Sequence, residues 1–576
     1  IVCCAKNIEA GQKVPVAKVG TTVPVGKDGE PLKIERVKIR EVESAGMLCS
    51  PKELGLGDDH SGILILDKDL KIGTPLTKAL SLPETVLETE VTTNRGDELS
   101  IYGLAGEIAA ITGNKHRPLI TKESPVQITP AVKLTVSADP AFCRRYSAQV
   151  VTNLSLAPSP AFIQLRLRQA GMRPINNVVD ITNYVMLLTG QPLHAFDYRK
   201  ISRGEIIVRE SRTGDRLTTL DGVTRQLGFG QIVISDPEKI LGLGGVMGGE
   251  DSGVTNLTDT VVIESAVFDP VAIRQTTVKY NLRSEASFRF ERGVEIGGTL
   301  RALNLAVELL QKYAGGKAAS PVIDVYPQKY VPAHVTMTSS KLNQYLGYDY
   351  PLSQAEKILT GLGLLTASKT KDKLTVKVPS WRERDITIEE DLIEEVARIE
   401  GYDNIPSLMP SGEVPKTPPI TNINLIQDIR GHLSSLGLTE VSVYPMISPD
   451  LNLEENALKI SNSISGQWEY LRTSLIPGLA ETSAKNINLG EEGPIFEIGK
   501  VYLPSDELPQ EKEILALSAA DFSLVKGYVQ SVLEKLSLPS SKYKKGSSQL
   551  FTEDSTSFVE VNGTIAGQMG EITGAF

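Results

Sequence analysis

The chain has little cysteine and no long run of apolar residues. Four of its 576 residues are cysteines, and none of them stands in a CxxC pair. So few cysteines exclude a disulfide framework and argue against a zinc knuckle, and a reducing cytoplasm is the simplest location. A membrane-spanning helix needs about 20 mostly apolar residues in succession. No stretch of the sequence approaches that length, so we expect no contact with a membrane.

The chain also lacks net positive charge. Its formal net charge is −10 at pH 7, whereas a surface that binds phosphate groups needs local positive charge. This argues against nucleic-acid binding over the whole surface and leaves local basic patches open. The start at Ile1 has no methionine and no basic leader, so it is not a signal peptide. Because the chain stops at Phe576 after a strand-like pattern, we expect a protein truncated at both ends.

Length sets the number of domains. Single hydrophobic cores stop growing near ~250–300 residues, so a chain of this length divides. We expect an α+β multidomain protein with parts at 1–80, 81–330, 331–406 and 407–576. A proline-rich stretch at 406–419 marks the last of these boundaries.

The secondary structure predicted for these parts differs. Short alternating strands with glycine-rich turns in the first part are typical of a small closed barrel, and the OB barrel is one candidate. Apolar periodicity predicts helices at 104–111, 161–170 and 300–313. Strands predicted at 206–209 and 231–234 alternate with the last two helices, which indicates an α+β domain.

Polar side chains interrupt an apolar helical pattern at 176–184, and His194 follows soon after it. Buried Asn and Thr side chains cost free energy unless they are hydrogen-bonded, so such a helix builds either a polar network or a pocket. The imidazole of His194 changes charge near neutral pH and can orient water or donate to a leaving oxygen. A histidine satisfied inside the core is the open alternative.

Two further segments are candidates for binding. The glycine-rich stretch 242–249 lacks the GxGxxG spacing of a dinucleotide loop. It is either a tight turn or a place where the backbone approaches a ligand closely. Glu264 is the one carboxylate in the apolar strand pattern 261–266. Exposure or an ion pair with a nearby arginine would explain it, and binding of an ammonium group is the functional alternative.

The last candidate is an acidic helix. Asp391, Glu394 and Glu395 fall on one side of it by their i, i+3, i+4 spacing. Clustered carboxylates suit a hard cation such as Mg²⁺, which takes a few carboxylates and keeps several waters. The alternative is a solvated helix face paired with Arg398.

Taken in order, long segments of the chain resemble the β subunit of bacterial phenylalanyl-tRNA synthetase. No single motif is decisive, but the collinear set is specific and covers nearly the whole chain. The matching segments are 42–50, 90–97, 177–184, 191–197, 245–249, 282–293, 391–399, 401–406 and 471–479. The resemblance implies an OB-type tRNA-binding barrel, an α+β editing domain, a small α/β metal-bearing domain and a catalytically inactive class II synthetase-like domain built on an antiparallel sheet.

The resemblance implies that the central domain hydrolyses Tyr-tRNA(Phe) made in error by the α subunit. Phenylalanine and tyrosine differ by one hydroxyl, and a second site that recognises the hydroxyl is the physical remedy. The family's catalytic residues correspond to Thr182, Asn183, His194 and Glu264, and its substrate slot corresponds to Gly244, Gly245 and Gly248. Family members commonly carry alanine at the position of Gly244, so we expect an enlarged slot and altered selectivity for tyrosine.

The resemblance also assigns cofactor and partners. It implies a Mg²⁺ ion held by Asp385, Asp391, Glu394 and Glu395 near the interface with the α subunit. The segment 471–474 lacks the expected ATP-binding pattern, so ATP would be used at the α subunit within an (αβ)₂ tetramer that binds tRNA(Phe). The family's N-terminal strip and C-terminal ferredoxin-like domain are missing, and the abrupt pattern near 520–521 predicts missing internal residues.

Two other functions compete with a synthetase β subunit. One is a freestanding tRNA-binding hydrolase that edits without an α partner, and the other is a scaffold with a degenerate editing pocket. The segment 471–479 and the acidic helix favour the β subunit over a lone editor, which needs neither. The presence of Thr182, Asn183, His194 and Glu264 argues against a degenerate pocket.

Overall fold

A computed structural model describes the chain except for residues 27–28, 40, 58–59, 81–84, 129, 410–411, 413–420, 453 and 574–576. It divides into two compact units, Ile1–Met409 and Pro410–Phe576. Most of the linker predicted at 406–419, and the last three residues of the chain, lie outside the described residues. No helix in the described part of the chain is long and apolar enough to cross a membrane.

The N-terminal residues form short strands, as predicted. The elements are β1 (Val16–Lys18), β2 (Thr22–Val23), β3 (Leu32–Lys33), β4 (Val37–Ile39), β5 (Val42–Ser44), β6 (Gly46–Leu48), α1 (Leu76–Ala79) and α2 (Ile101–Thr112). The strands pair as three ribbons, β1 with β6, β2 with β3, and β4 with β5. Among the described residues these ladders do not close a barrel, so the OB-type barrel stays a prediction. Helix α2 contains the predicted helix 104–111 and is ended by Gly113, which has the left-handed conformation.

The central part contains two five-stranded sheets. Its strands are β7 (Thr135–Ala138), β8 (Cys143–Thr152), β9 (Leu193–Asp197), β10 (Glu205–Glu210), β11 (Arg216–Thr218), β12 (Thr224–Gln226), β13 (Ile232–Ser235), β14 (Ile240–Leu243), β15 (Met247–Gly248), β16 (Val261–Phe268), β17 (Lys317–Ala318) and β18 (Ile323–Val325). One sheet has the order β17-β8-β16-β9, with β18 also paired to β8. The other has the order β15-β14-β13-β10-β7.

Five helices accompany these sheets. They are α3 (Ala161–Gln169), α4 (Asn177–Thr189), α5 (Pro270–Tyr280), α6 (Glu285–Phe290) and α7 (Thr299–Ala314). The predicted helices at 161–170 and 300–313 and the predicted strands at 206–209 and 231–234 are confirmed. Helices α3, α4 and α7 share one apolar core with one face of the β8–β16–β9 sheet. The opposite face of that sheet shares a second core with the other sheet.

The C-terminal part of the first unit is a three-stranded sheet with three helices. The elements are β19 (His334–Thr338), α8 (Ser339–Leu346), α9 (Leu352–Gly361), β20 (Leu365–Lys369), β21 (Lys373–Lys377) and α10 (Glu389–Glu400). The strand order is β19-β21-β20, antiparallel throughout. The apolar face of α10 packs into the core of this sheet through Leu392, Ile393 and Val396.

The second unit has mixed rather than purely antiparallel sheets. Its elements are α11 (Thr421–Ser435), β22 (Thr439–Glu440), β23 (Met446–Ile447), β24 (Tyr470–Leu471), α12 (Ile476–Asn488), β25 (Ile495–Leu503), β26 (Gln510–Ser518), α13 (Phe522–Lys535), β27 (Lys542–Lys545), β28 (Ser557–Val561) and β29 (Thr564–Met569). β22 pairs in parallel with β25, and the long connection through α12 makes that direction possible. The other pairings are antiparallel. Where the sequence predicted a break, Asp521 caps α13 by accepting a hydrogen bond from the Ser523 amide.

The buried face of α7 makes a stability prediction. Leu310 is fully buried against the sheet, whereas Leu305 on the same helix is only partly buried. Leu310→Ala should lower the free energy of unfolding by about 3 kcal/mol, because it removes buried methyl groups and leaves a cavity. Leu305→Ala should cost clearly less. Urea unfolding followed by circular dichroism measures both, and equal losses would contradict the packing described here.

Candidate active site

Glu264 and His194 face each other across two neighbouring strands. β16 runs antiparallel to β9, and Glu264 is the direct partner of His194 in that ladder. Directly opposed residues place their Cβ atoms about 4.5–5.5 Å apart on the same face of a sheet. Alternation along β16 puts Glu264 on the face of Val262 and Ala266, which belong to the core between the two sheets. The site therefore lies between the two sheets.

Glu264 is buried, contrary to the expectation of an exposed or ion-paired carboxylate. Every residue of β16 is buried, and Glu264 is 4% exposed. The hydroxyl of Tyr146, from β8, donates a hydrogen bond to Glu264 Oε2 at 2.7 Å. In the described part of the chain no group hydrogen-bonds to the other oxygen, Oε1. This leaves one acceptor of the carboxylate free for a ligand.

Burial also changes the acidity of this carboxyl group. Desolvation raises the pKa of Glu264 to about 7, and the hydrogen bond from Tyr146 acts in the opposite direction. Near neutral pH, Glu264 therefore exists as a mixture of the neutral and ionised forms. A buried group with a pKa shifted towards neutrality is a functional-site candidate on physical grounds.

His194 is not a histidine satisfied by the core. Its Nε2 atom is buried and has no hydrogen-bond partner among the described residues. The ring lies edge-on to Phe196, with the ring centroids 4.4 Å apart. Burial lowers the pKa of His194 to about 4, so the ring is neutral at pH 7. A neutral imidazole with an unpartnered buried nitrogen is available to a ligand or a water molecule.

Of the three candidate glycines, Gly248 borders this pair. A Cβ atom on Gly248 would lie 2.6 Å from His194 Cε1 and 2.9 Å from His194 Nε2. Only glycine at this position therefore allows the imidazole of His194 to keep its observed position. The glycine-rich stretch forms a tight turn between β14 and β15, which was one of the two interpretations of the sequence, and approach of its backbone to a ligand stays a prediction.

Gly244 and Gly245 are enclosed by the core instead. A methyl group on Gly244 would lie 2.8 Å from Ile232 Cγ2, so it would press on the core and would not fill a slot beside a ligand. Gly245 has φ +68°, and a Cβ atom there would meet Ile273 and Phe268 within 3 Å. A methyl group at Gly244 would point into the core at Ile232 and not towards His194 or Glu264, so the expectation that Gly244 enlarges the substrate slot is not supported.

Thr182 and Asn183 lie on α4, which packs against the same sheet. The Thr182 hydroxyl donates to the Val179 carbonyl in its own helix at 2.7 Å. Asn183 is half-buried. Within the described residues no hydrogen bond connects either side chain to His194 or Glu264. Their predicted contact with the substrate stays a prediction.

Other polar residues of this helix have structural partners. Asn176 caps α4 by accepting from the amides of Val178 and Val179. Asp180 accepts from Ser159 Oγ at 2.5 Å and from the Ile175 amide at 2.7 Å. Asn176 and Asp180, two of the polar residues in this segment, therefore have structural roles: one caps the helix and the other belongs to a buried hydrogen-bond network. Both help to orient α4 beside β9.

The four carboxylates of the predicted magnesium site are not arranged around one point. Asp385 and Glu395 both accept hydrogen bonds from Arg382, which is 2% exposed. Asp391 accepts from the amides of Thr387 and Ile388 at the start of α10, and Glu394 is exposed. No group of three or more His, Cys, Asp or Glu residues in the described ranges is placed to hold a metal ion. As arranged, this donor set does not fit Mg²⁺, and no chemical step is derived through a metal here.

Arg382 occupies the position predicted for the metal ion. Burial alone would raise the pKa of Glu395, but hydrogen bonds from Arg382 and Arg398 outweigh it and lower the pKa to about 2. Arg398 also pairs with Glu107 on α2, and Glu107 pairs with Arg95. The network fastens α10 to α2 within the first unit. Sequence reasoning gave no role to Arg382 or to Arg95, although Arg95 lies within the matching segment 90–97.

Comparisons with known proteins identify the family. Residues 1–75 match the model of a putative tRNA binding domain, 142–315 a B3/4 domain, 335–402 a tRNA synthetase B5 domain, and 405–575 the phenylalanyl tRNA synthetase beta chain CLM domain. The phenylalanine–tRNA ligase beta subunit of Syntrophus aciditrophicus is 37% identical over 99% of this chain and 74% of its own length. The chain belongs to the phenylalanine–tRNA ligase beta subunit family.

Two other members of the family agree with this. The beta subunit of Geobacter metallireducens is 38% identical over 94% of this chain and 70% of its own length. That of Staphylococcus haemolyticus is 38% identical over 99% of this chain and 74% of its own length. Tyr146, His194 and Glu264 fall within the B3/4 match, and the acidic helix falls within the B5 match.

In the CLM domain of this family member, Arg472 is committed to internal contacts. It is buried, and its Nη1 atom donates to Glu497 Oε1 at 2.8 Å and to the Val443 carbonyl at 3.1 Å. Its Nε atom donates to the Lys500 carbonyl at 3.0 Å. The guanidinium therefore ties together three segments of the sheet region. The absence of aminoacylation by this chain stays a prediction.

The contact between Gly248 and His194 makes a prediction about acidity. Gly248→Ala should displace the imidazole towards water and raise the pKa of His194 from about 4 towards the ordinary value of 6.5. Gly253→Ala is the matched control, because its methyl group would meet only a flexible leucine end and backbone oxygens. Histidine NMR titration measures both. An unchanged titration of His194 in Gly248→Ala would contradict the geometry.

The Arg382 cluster makes a second prediction. Glu395→Gln should lower the free energy of unfolding by about 3 kcal/mol, because it leaves a buried guanidinium with one carboxylate fewer. Glu394→Gln, at the exposed neighbouring position, should change it by less than about 0.5 kcal/mol. The loss should be the same with excess magnesium as with a chelator. A loss of unfolding free energy that appears only when magnesium is present would support the predicted metal site.

Proposed function

We propose that the B3/4 part of this chain removes tyrosine from Tyr-tRNA(Phe) by hydrolysis. The observation that carries the proposal is the pairing of a half-satisfied buried carboxylate, Glu264, with an unpartnered buried imidazole, His194. In a beta subunit of a phenylalanine–tRNA ligase, such a pair suits the recognition of the phenol hydroxyl that distinguishes a tyrosyl ester from a phenylalanyl ester. The chain would then correct errors that its own enzyme makes.

Glu264 is the proposed tyrosine-recognition group. Its free Oε1 can accept the phenol proton of a tyrosyl group, and phenylalanine offers no such donor. A site built to hydrogen-bond a hydroxyl rejects the analogue that lacks it by a factor of about 10⁴–10⁵, because its buried polar group is then left unpaired. By contrast, a pocket shaped for a phenyl ring at the proposed aminoacylation site of the α subunit rejects the extra hydroxyl of tyrosine only weakly. The ammonium group of the ester is a second possible partner for the same carboxylate.

His194 is proposed to position water and the ester. With a pKa of about 4 it is a weak base at pH 7, so we do not assign it as an obligatory general base. An aminoacyl ester is already activated, and an ordered water held near it supplies much of the rate by proximity. Thr182 and Asn183 are proposed to help hold the ester, and Gly248 to shape the floor of the site.

The remaining assignments follow from membership in the family. We propose an α subunit that uses ATP and Mg²⁺ to charge tRNA(Phe), and an (αβ)₂ tetramer in the cytoplasm. Residues 1–75 would contribute to binding the tRNA, since that segment matches a putative tRNA binding domain. Co-purification with an α subunit would separate this role from that of a freestanding editing hydrolase.

The decisive experiment is deacylation of preformed Tyr-tRNA(Phe) by the full-length protein in complex with its α subunit. Glu264→Gln and His194→Ala should each reduce the rate by roughly 100-fold, the lower end of what a positioned catalytic group supplies. Charging with phenylalanine should continue at the wild-type rate in both variants. His116→Ala, on an exposed ring, is the control.

Two results would count against the proposal. A wild-type complex that leaves Tyr-tRNA(Phe) intact would favour an editing-deficient scaffold. Equal rates in the wild type and both variants would place the hydrolysis elsewhere in the complex. Loss of phenylalanine charging in the variants would indicate a disrupted assembly, which size-exclusion chromatography would detect.

A further inference from the structure

Tyr146 is the one side chain among the described residues that hydrogen-bonds to Glu264. It is fully buried on β8, and its hydroxyl donates to Glu264 Oε2 at 2.7 Å. We propose that Tyr146 is a positioning residue of the site: by holding Oε2 it turns Oε1 towards the phenol of the tyrosyl ester. This inference rests on the function proposed above and extends it to a residue that does not touch the substrate.

The strand register explains how Tyr146 reaches Glu264. In the β8–β16 ladder, Tyr146 stands opposite Ala266, and Glu264 stands opposite Ala148. Tyr146 and Glu264 are thus diagonal neighbours on one face, a separation that aromatic side chains can span. The two alanines leave room for the ring to lie across the sheet. His194 flanks Glu264 from β9 on the other side, so Glu264 lies between Tyr146 and His194 in the sheet.

Fixing one oxygen matters for selectivity. A carboxylate with two free oxygens could rotate and satisfy itself with water from either side. With Oε2 held, a single acceptor remains, and its direction is set by the sheet. That acceptor is unpaired when the ligand has no hydroxyl, which is the condition for discriminating tyrosine from phenylalanine.

Few other titratable groups face Glu264. Tyr146 and Cys143 approach it from β8, and His194 approaches it from β9. From the second sheet, β14 and β15 bring only glycine and apolar side chains. Burial raises the pKa values of Cys143 and Tyr146 above their ordinary values and lowers that of His194, so all three keep one protonation state around pH 7. Glu264 is then the group that titrates.

The sign of the pH effect follows from the hydrogen bond. Donation from Tyr146 favours the ionised carboxylate, so its removal raises the pKa of Glu264 above about 7. The ionised form is the acceptor for the phenol. Enzyme-dependent deacylation of Tyr-tRNA(Phe) should therefore rise with pH through about 7 in the wild type, and the midpoint should move to higher pH in Tyr146→Phe.

The test uses the full-length protein with its α subunit and two probes, preformed Tyr-tRNA(Phe) and preformed Phe-tRNA(Phe). In Tyr146→Phe, the ratio of the two deacylation rates should fall roughly tenfold, the scale of one hydrogen bond to a charged group. Tyr350→Phe is the matched control, because Tyr350 is buried and donates to Glu400 Oε2 at the same distance, 2.7 Å, in another part of the fold. It should leave both the ratio and the pH midpoint at wild-type values.

Each outcome decides a different question. A wild type that does not deacylate Tyr-tRNA(Phe) overturns the proposed function itself. A wild type that does, together with an unchanged ratio and midpoint in Tyr146→Phe, overturns the positioning role and leaves the function intact. Should Tyr146→Phe fold poorly, 3,5-difluorotyrosine placed at position 146 keeps the ring and strengthens the hydrogen bond, so the midpoint should fall. An unchanged midpoint there would also overturn the positioning role.

Discussion

The burial of Glu264 is the constraint on which the candidate site depends. A carboxylate taken out of water costs free energy unless it is paired or protonated. In this fold the cost is reduced by one hydroxyl, that of Tyr146, and by a shift of the pKa towards neutrality. No arginine or lysine hydrogen-bonds to the carboxylate within the described residues. The sheet keeps a carboxylate in its core that is partly satisfied and can still accept a ligand.

Elsewhere the same chain treats buried charge in the opposite way. Arg382 is as deeply buried, but Asp385 and Glu395 satisfy it, and Arg398 extends the pairing towards α2. The two clusters therefore differ in how far their buried charge is satisfied within the protein: Arg382 has two carboxylate partners, whereas Glu264 has one hydroxyl.

Sequence patterns predicted the periodic parts of the fold well. The helices and strands around α3, α7, β10 and β13 follow from apolar periodicity, because burying one face of an element imposes that period. Family resemblance located His194 and Glu264, but it did not supply their surroundings. That Glu264 meets Tyr146, 118 residues away in the chain, is a consequence of strand register, which no local pattern encodes. Arg382 was missed for another reason: it is close in sequence to Asp385, but a cluster of carboxylates has the same sequence pattern whether a metal ion or an arginine neutralises it.

The proposed discrimination of one hydroxyl would explain why a half-satisfied carboxylate is retained in the core. An acceptor oxygen whose hydrogen bonds all come from the protein does not distinguish tyrosine from phenylalanine, because neither ligand adds or removes a hydrogen bond to it. An acceptor exposed to water loses little when the ligand lacks a donor, because water replaces it. Only an acceptor that is buried and still unpaired turns a missing hydroxyl into a large difference in free energy. Glu264 is a buried residue held by Tyr146 on one oxygen, and a ligand that covers its second oxygen would create both conditions.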